Sequence, residues 1–516
     1  MIKLGLPFQS GMILQRREKV AVWGTSDKKQ LISVSLNGKK ILKQLIPTGE
    51  FKFYLPAQEA MESATLQIGD IMLTNIDFGE VWIAGGQSNM QFYVKWDAER
   101  EFIYEQAADN HLRYFEVAKY TFEGEEKDGF KDDSRWDKWL CFNHENSPFF
   151  SSAATFFALE LRKKLGVPIG IISCSYGGTS ASTWMDDRLL RGDEKLKIYT
   201  EEYEKSLEGL NLERYYAMNR MMRQNMSTGG EEADDYMHRT VGITIEEFYN
   251  FMATKKIFKS DDREEEKYST EELMRPGPNE PHPGSLYRTM LKKIIGYTSK
   301  GVIWYQGCND ENRAEIYKNL FEKLIKCWRD NWGYELPFIF AQLAPFGSWF
   351  GNTGINFPKI RRAQEEVQKT VSQVYMISTS DIGCENDIHP KNKRKIGQRM
   401  ALQALDKIYS IKVMADSPQY CGYNLKGSTL TLQFAFGEGL YILGKRLKNF
   451  ELICDGNIVD SYSVKLAGNT LKLISENLRK ANLISVRYAQ TPYYEINLYN
   501  GAGLPAFPFE LNIIGG

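Results

Sequence analysis

The sequence predicts an α/β protein: a three-layer α/β/α domain built on a parallel sheet, flanked by small N-terminal and C-terminal β domains. Three observations carry this expectation. From Gly79 to about residue 410, short apolar segments alternate with helical patterns, the order of β-α-β units that cover both faces of a sheet with helices. Before that stretch, apolar and polar residues alternate between turn residues, as in short antiparallel strands. The strand signal returns from about Asn424 to Ile514. At 516 residues the chain exceeds the usual size of one domain, and the expected division is 1–78, 79–410 and 411–516.

In the first part, Val20-Ala21-Val22-Trp23 and Ile32-Ser33-Val34-Ser35-Leu36 read as strands, and Asn37-Gly38 as the turn of a hairpin. The strands expected in the middle part are Val81 to Ala84, Ile169 to Cys174, Gly301 to Tyr305, Phe338 to Leu343 and Val374 to Thr379. Ala153 to Leu165 and Ile316 to Trp332 carry apolar residues at helical spacing. Between about Leu189 and His282 lies a charged, Met-rich and Tyr-rich insertion with acidic runs at Glu231 to Asp235 and Asp261 to Glu266. Its first part, Leu196 to Met226, has helical spacing, and insertions of this length serve as lids or as solvated decoration. In the last part, Ser428 to Leu432 and Leu483 to Tyr488 read as strands between glycine turns.

Composition narrows the function classes. With 65 basic and 66 acidic residues and a net charge of −1, the chain gives no basis for a nucleic acid or an anionic membrane surface as partner. No stretch approaches the roughly 18 apolar residues of a membrane span, and Met1 to Pro7 lacks the apolar run of a signal peptide. The expectation is a soluble cytoplasmic protein, or a secreted one if a signal peptide has been removed. Seven cysteines without C-x-x-C pairs suggest free thiols. No pair among the five histidines has helix-face metal spacing, so no metal is expected.

The segment richest in chemistry is Gly79-Glu80-Val81-Trp82-Ile83-Ala84-Gly85-Gly86-Gln87-Ser88-Asn89-Met90, an apolar strand running into two glycines, a glutamine and a serine. A serine held on a sharp turn after a strand is how a nucleophile is presented, although Met90 departs from the G-x-S-x-G elbow. His389, in Asp381 to Pro390 directly after the last expected strand, is the candidate base, with Asp387 to orient its ring. Two further post-strand loops, Ser175-Tyr176-Gly177-Gly178-Thr179 and Gln306-Gly307-Cys308-Asn309-Asp310, offer donors for a tetrahedral oxyanion. The backbone N–H of Gly177 or Gly178, the Asn309 amide and the Ser88 N–H would supply three, with Gln87 or Gln306 able to replace one. Trp184, Tyr305 and Gln87 lie close enough in sequence to contact a sugar. A lone histidine such as His144, His238 or His282 reads as a surface or hydrogen-bonded residue.

Together the blocks Gly-Gln-Ser-Asn-Met, Tyr-Gly-Gly-Thr, Trp-Tyr-Gln-Gly and Asp-Ile-His-Pro, in this order, resemble the SGNH (GDSL-like) hydrolases, and within them the sialate O-acetylesterase family. Gly11 to Arg16 and Asn497 to Pro505 look like that family's opening and close. The resemblance implies an SGNH-type catalytic domain and serine-dependent removal of O-acetyl groups from sugars or oligosaccharides, with no metal or organic cofactor. It assigns Ser88 as nucleophile, Gly178 (or Gly177) and Asn309 as oxyanion donors, and His389 as base. Cys308 stands where that family usually has a glutamate, and Asn386 where the superfamily places its aspartate, so Asp387 or a backbone carbonyl would orient His389. The alternative substrates are acetylated xylan or xyloglucan oligosaccharides. A noncatalytic glycan-binding protein is the rival from another class.

Overall fold

The computed structural model describes residues 1–127, 133–226, 230–255, 269 and 277–514; the acidic run Asp261 to Glu266 lies outside them. Seven strands form the middle layer, in the order Trp139–Asn143, Ala108–Glu116, Ile169–Ser175, Ile71–Gly86, Gly301–Tyr305, Phe338–Ala341, Val374–Ile377. Every neighbouring pair is parallel except the edge pair formed by the first two. Ile169–Ser175 and Gly301–Tyr305 are buried along their whole length, which is why the sequence shows continuous apolar runs here and alternation elsewhere.

Helices cover both faces. Trp82 packs its ring edge-on to Phe157 of helix Ser152–Leu165, with centroids 5.0 Å apart. Three residues along the same strand, a β-carbon on Gly85 would press against Trp304 and Trp328, the latter from helix Ala314–Trp332. Positions three apart on a strand point to opposite faces, so these helices lie on opposite sides. Helix Arg394–Gln403 packs beside the first and Phe357–Thr370 beside the second. The result is the α/β/α sandwich expected from the sequence.

At the N-terminus, Asn37 and Gly38 both take positive φ, 49° and 76°, in the turn joining Gln30–Leu36 to Lys39–Ile46, the backbone that matches strand twist in a two-residue hairpin. Strand Ile71–Gly86 belongs to both regions. Its first half pairs antiparallel with Met61–Ile68 and its second half runs parallel in the central sheet, so the N-terminal strands share one apolar core with the α/β layers. The C-terminal region has two four-stranded antiparallel sheets around a separate core. Buried Arg361 joins it to the sandwich by donating to the carbonyls of Thr491, Pro492 and Leu343.

The chain leaves strand Ile71–Gly86 toward one side of the sheet, returns beside it as Ile169–Ser175, and then crosses to the other side as Gly301–Tyr305. This is the topological switch point, where open α/β sheets hold their ligands beyond the carboxyl ends of the strands. Among the described residues no helix is long and apolar enough to cross a membrane. All seven cysteines are free thiols.

Candidate active site

The three strands that meet at the switch point deliver three of the loops singled out above. Gly86 sits at φ 132°, and a β-carbon there would overlap the Tyr305 carbonyl; only glycine lets the chain turn this close to its neighbour. After the turn, Ser88–Gln91 forms one helical turn with Ser88 as its first residue. Met90 is fully buried beneath it, and Ser151 donates to the Met90 carbonyl at 2.5 Å. Met90 is thus an anchor in the core, which accounts for the departure from the glycine elbow.

Side chains inside the four blocks tie the loops to one another. Gln87 accepts from the backbone N–H of Gly307 at 3.1 Å and Gln91 from that of Gly177 at 2.7 Å. Asn89 donates to the Ile388 carbonyl at 3.0 Å and accepts from the Lys393 ammonium at 2.5 Å. Buried Asp310 accepts from Ser180 Oγ, the Ala181 N–H, Gln306 Nε2 and Tyr199 OH at 2.6, 2.9, 2.6 and 3.0 Å. These contacts fix the serine turn to the glycine loop, the Gln306 loop and the histidine loop.

Ser88 Oγ lies 2.9 Å from His389 Nε2, although the residues are separated by 301 positions in sequence. His389 is 6% exposed and surrounded by rings: Trp349 edge-on at 5.2 Å, His238 at 5.1 Å and Phe92 at 6.4 Å. Burial, then His238, Lys393 and Lys391, hold its pKa well below the ordinary histidine value. The ring is therefore a neutral imidazole at neutral pH, as a proton acceptor must be.

Asp387 does not touch that ring. Its Oδ1 accepts from the His389 backbone N–H at 2.8 Å and its Oδ2 pairs with Lys391 at 2.8 Å, while His389 Nδ1 has no hydrogen-bond partner among the described residues. The carboxylate two positions before the histidine closes a local turn, a habit of aspartate, in place of reaching the far ring nitrogen. Gln306 is also committed elsewhere, its amide donating to the Thr179 carbonyl and Asp310. Trp184 is fully buried and donates to Thr179 Oγ1 at 3.1 Å. Tyr305 is 1% exposed within its strand, so neither aromatic face is presented to a ligand. Gln87 is 3% exposed and spans loops. Of the expected oxyanion donors, Gly178, at φ 67°, and Asn309 are exposed. A β-carbon on Gly177 would lie 3.4 Å from Ser88 Cβ. Burial pushes the Cys308 thiol up to about 12, so it stays neutral where the resemblance expects a charged glutamate.

The insertion is built into this site. Tyr199 reaches Asp310, the Gly242 N–H lies 3.3 Å from Asp387 Oδ2, and Trp349 donates to the Ile243 carbonyl at 3.0 Å. Helix Gly230–Arg239 docks through Asp235, which accepts from Trp96 Nε1 and pairs with Lys95, both at 2.7 Å. Its His238 ring stacks on Trp96 with centroids 3.9 Å apart and planes 11° from parallel. Asn89, Gln91 and Asp310 were visible in sequence as polar residues interrupting post-strand blocks. His238 carried no such signal, because nothing local connects the insertion to the His389 loop.

Comparison with known proteins bears out the resemblance. A family described as carbohydrate esterase, sialic acid-specific acetylesterase, matches residues 271–406. The sialate O-acetylesterase of the mouse, Mus musculus, is 24% identical over 505 residues, covering 92% of this chain and 84% of the relative. The human protein of that name is 24% identical over 510 residues, covering 91% and 81%. Among solved structures, a carbohydrate acetylesterase from Xanthomonas citri superposes with a TM-score of 0.72 at 24% identity, covering 99% of both chains.

Proposed function

We propose that this chain, a carbohydrate esterase by its likeness to the sialate O-acetylesterases, removes O-acetyl groups from sugars by way of an acetyl-serine at Ser88. The observation that carries the mechanism is the 2.9 Å approach of Ser88 Oγ to His389 Nε2 on a buried, neutral imidazole. Ser88 Oγ attacks the acetyl carbonyl as His389 Nε2 takes its proton. The tetrahedral oxyanion forms beside the serine turn, where the Ser88 N–H, the Gly178 N–H and the Asn309 amide are the donors in this reading; Gly177 is the less suitable glycine because Gln91 occupies its N–H. Such donors lower the barrier by roughly 3 kcal/mol each. Collapse breaks the bond from the acetyl carbon to the sugar oxygen, which takes the proton from His389 and leaves as the hydroxyl. A water then adds to the acetyl-serine, giving its proton to His389, and release of acetate restores the Ser88 hydroxyl.

The carboxylate of Asp387 acts through the backbone, holding the His389 N–H and fixing the loop. The same chemistry serves acetylated sialic acid and acetylated xylan or xyloglucan oligosaccharides; a sialate pocket must in addition offer a cation to the sugar carboxylate. The direct test is Ser88→Ala, expected to abolish release of p-nitrophenol from p-nitrophenyl acetate while the circular dichroism spectrum stays unchanged. Retained turnover would refute the assignment. Acetate release measured over a panel of acetylated glycans identifies the sugar, and tight binding of deacetylated glycans without any acetate release would favour a binding protein.

A further inference from the structure

A base that takes a proton at Nε2 must carry one at Nδ1, and the His389 Nδ1–H is buried without an acceptor among the described residues. The ring packed against it belongs to the insertion. His238 Nδ1 lies 2.8 Å from the Asp234 carbonyl, an oxygen that only accepts, so the His238 proton resides on Nδ1 and its Nε2 keeps a lone pair. The two imidazole centroids are 5.1 Å apart with planes 39° from parallel, about the separation of two imidazoles joined by one N–H···N hydrogen bond. Stacking on Trp96 and the Asp234 bond hold the His238 ring in place, and the Lys95 and Trp96 contacts to Asp235 hold its helix.

We infer that His238 is the positioning residue for His389, its Nε2 accepting the Nδ1 proton that Asp387 leaves unbonded. This rests on the esterase reading above. A small rotation of the His389 ring, whose plane is 39° from that of His238, makes the bond while substrate is bound. It fixes the tautomer with the lone pair at Nε2, and it strengthens when His389 becomes an imidazolium, because hydrogen bonds from a charged donor are the stronger ones. Burial keeps His238 itself neutral and therefore able to accept, its pKa pushed down to about 4. The other charged groups near His389 are Lys391 and Lys393 and the carboxylate of Asp387; the two lysines have no lone pair to offer when charged, and Asp387 is committed to backbone and Lys391. The insertion is then more than a cover, since it completes the machinery.

The test uses the full chain with p-nitrophenyl acetate. His238→Phe preserves a flat ring on Trp96 but removes the acceptor, and is expected to lower kcat by about tenfold or more with KM within about twofold, the scale of losing an orienting partner. His238→Gln, whose side-chain oxygen can accept the proton, is expected to recover most of that loss. Wild-type kcat in His238→Phe, or a Gln variant as impaired as the Phe variant, overturns the inference. Failure of the underlying reading looks different: Ser88→Ala then retains the wild-type rate whatever stands at 238.

Discussion

His389 is surrounded by groups that oppose its protonation: an apolar enclosure first, then His238, Lys393 and Lys391. Activity needs the neutral ring, so kcat/KM is expected to rise with pH and level off below the ordinary histidine value of about 6.5; an acid limb centred above that value would contradict the burial argument. The same shifts make stability depend on pH. His238 and His389 have native pKa values below those of the unfolded chain, so in acid the unfolded state binds more protons. Stability is full above about 6.5 and is lost as pH falls toward the native values, about 4 for His238, as thermal midpoints measured across that range should record. At fixed pH, His389→Ala is expected to cost about 10²–10⁴-fold in kcat. Asp387→Asn should cost less, because an asparagine oxygen still accepts the His389 backbone N–H; equal losses in the two variants would make Asp387 indispensable.

The elements explain why the loops stay in register. Asp310 is a buried hub accepting four hydrogen bonds from residues on three segments. Asp310→Ala strands all four donors, and at about 1–3 kcal/mol for a buried unsatisfied group urea unfolding should show a loss of at least that size, together with a fall in kcat. Gly86→Ala is expected to be worse for activity than for folding, since relief of the Tyr305 clash moves the adjacent serine turn. Much of this architecture was legible in sequence because local patterns encode it. The buried strands announce themselves as unbroken apolar runs, helix Ser152–Leu165 by spacing, and the hairpin by Asn37-Gly38. Long-range partnerships were not. No local pattern says that Asn89 bonds Ile388, that Gln306 is spent on Asp310, or that Trp184 faces the core, since each depends on which strands become neighbours. Asp387 shows the same limit: it lies near enough in sequence to orient the ring, and the nearer His389 backbone N–H won.

In the whole molecule, one core unites the N-terminal strands with the sandwich and a second belongs to the C-terminal sheets. Arg361, buried and donating to Thr491 and Pro492, is a main polar tie between them. Arg361→Leu removes these bonds, leaving the Pro492 carbonyl only the Phe346 N–H, and should separate thermal unfolding into two steps by calorimetry; a single unshifted transition would mean that the remaining contacts suffice to couple the two parts. The insertion links separate loops of the sandwich at the site, touching the Asp310, Asp387 and His389 loops through Tyr199, Gly242 and His238. The measurement that bears most directly on the central claim is covalent capture of the nucleophile. The chain is treated with an ethyl alkylphosphonate bearing a p-nitrophenoxide leaving group, followed by peptide mass spectrometry. One adduct is expected, on Ser88, formed at a rate that collapses in His389→Ala. An adduct elsewhere, or labelling of Ser88 that is indifferent to His389, would contradict it.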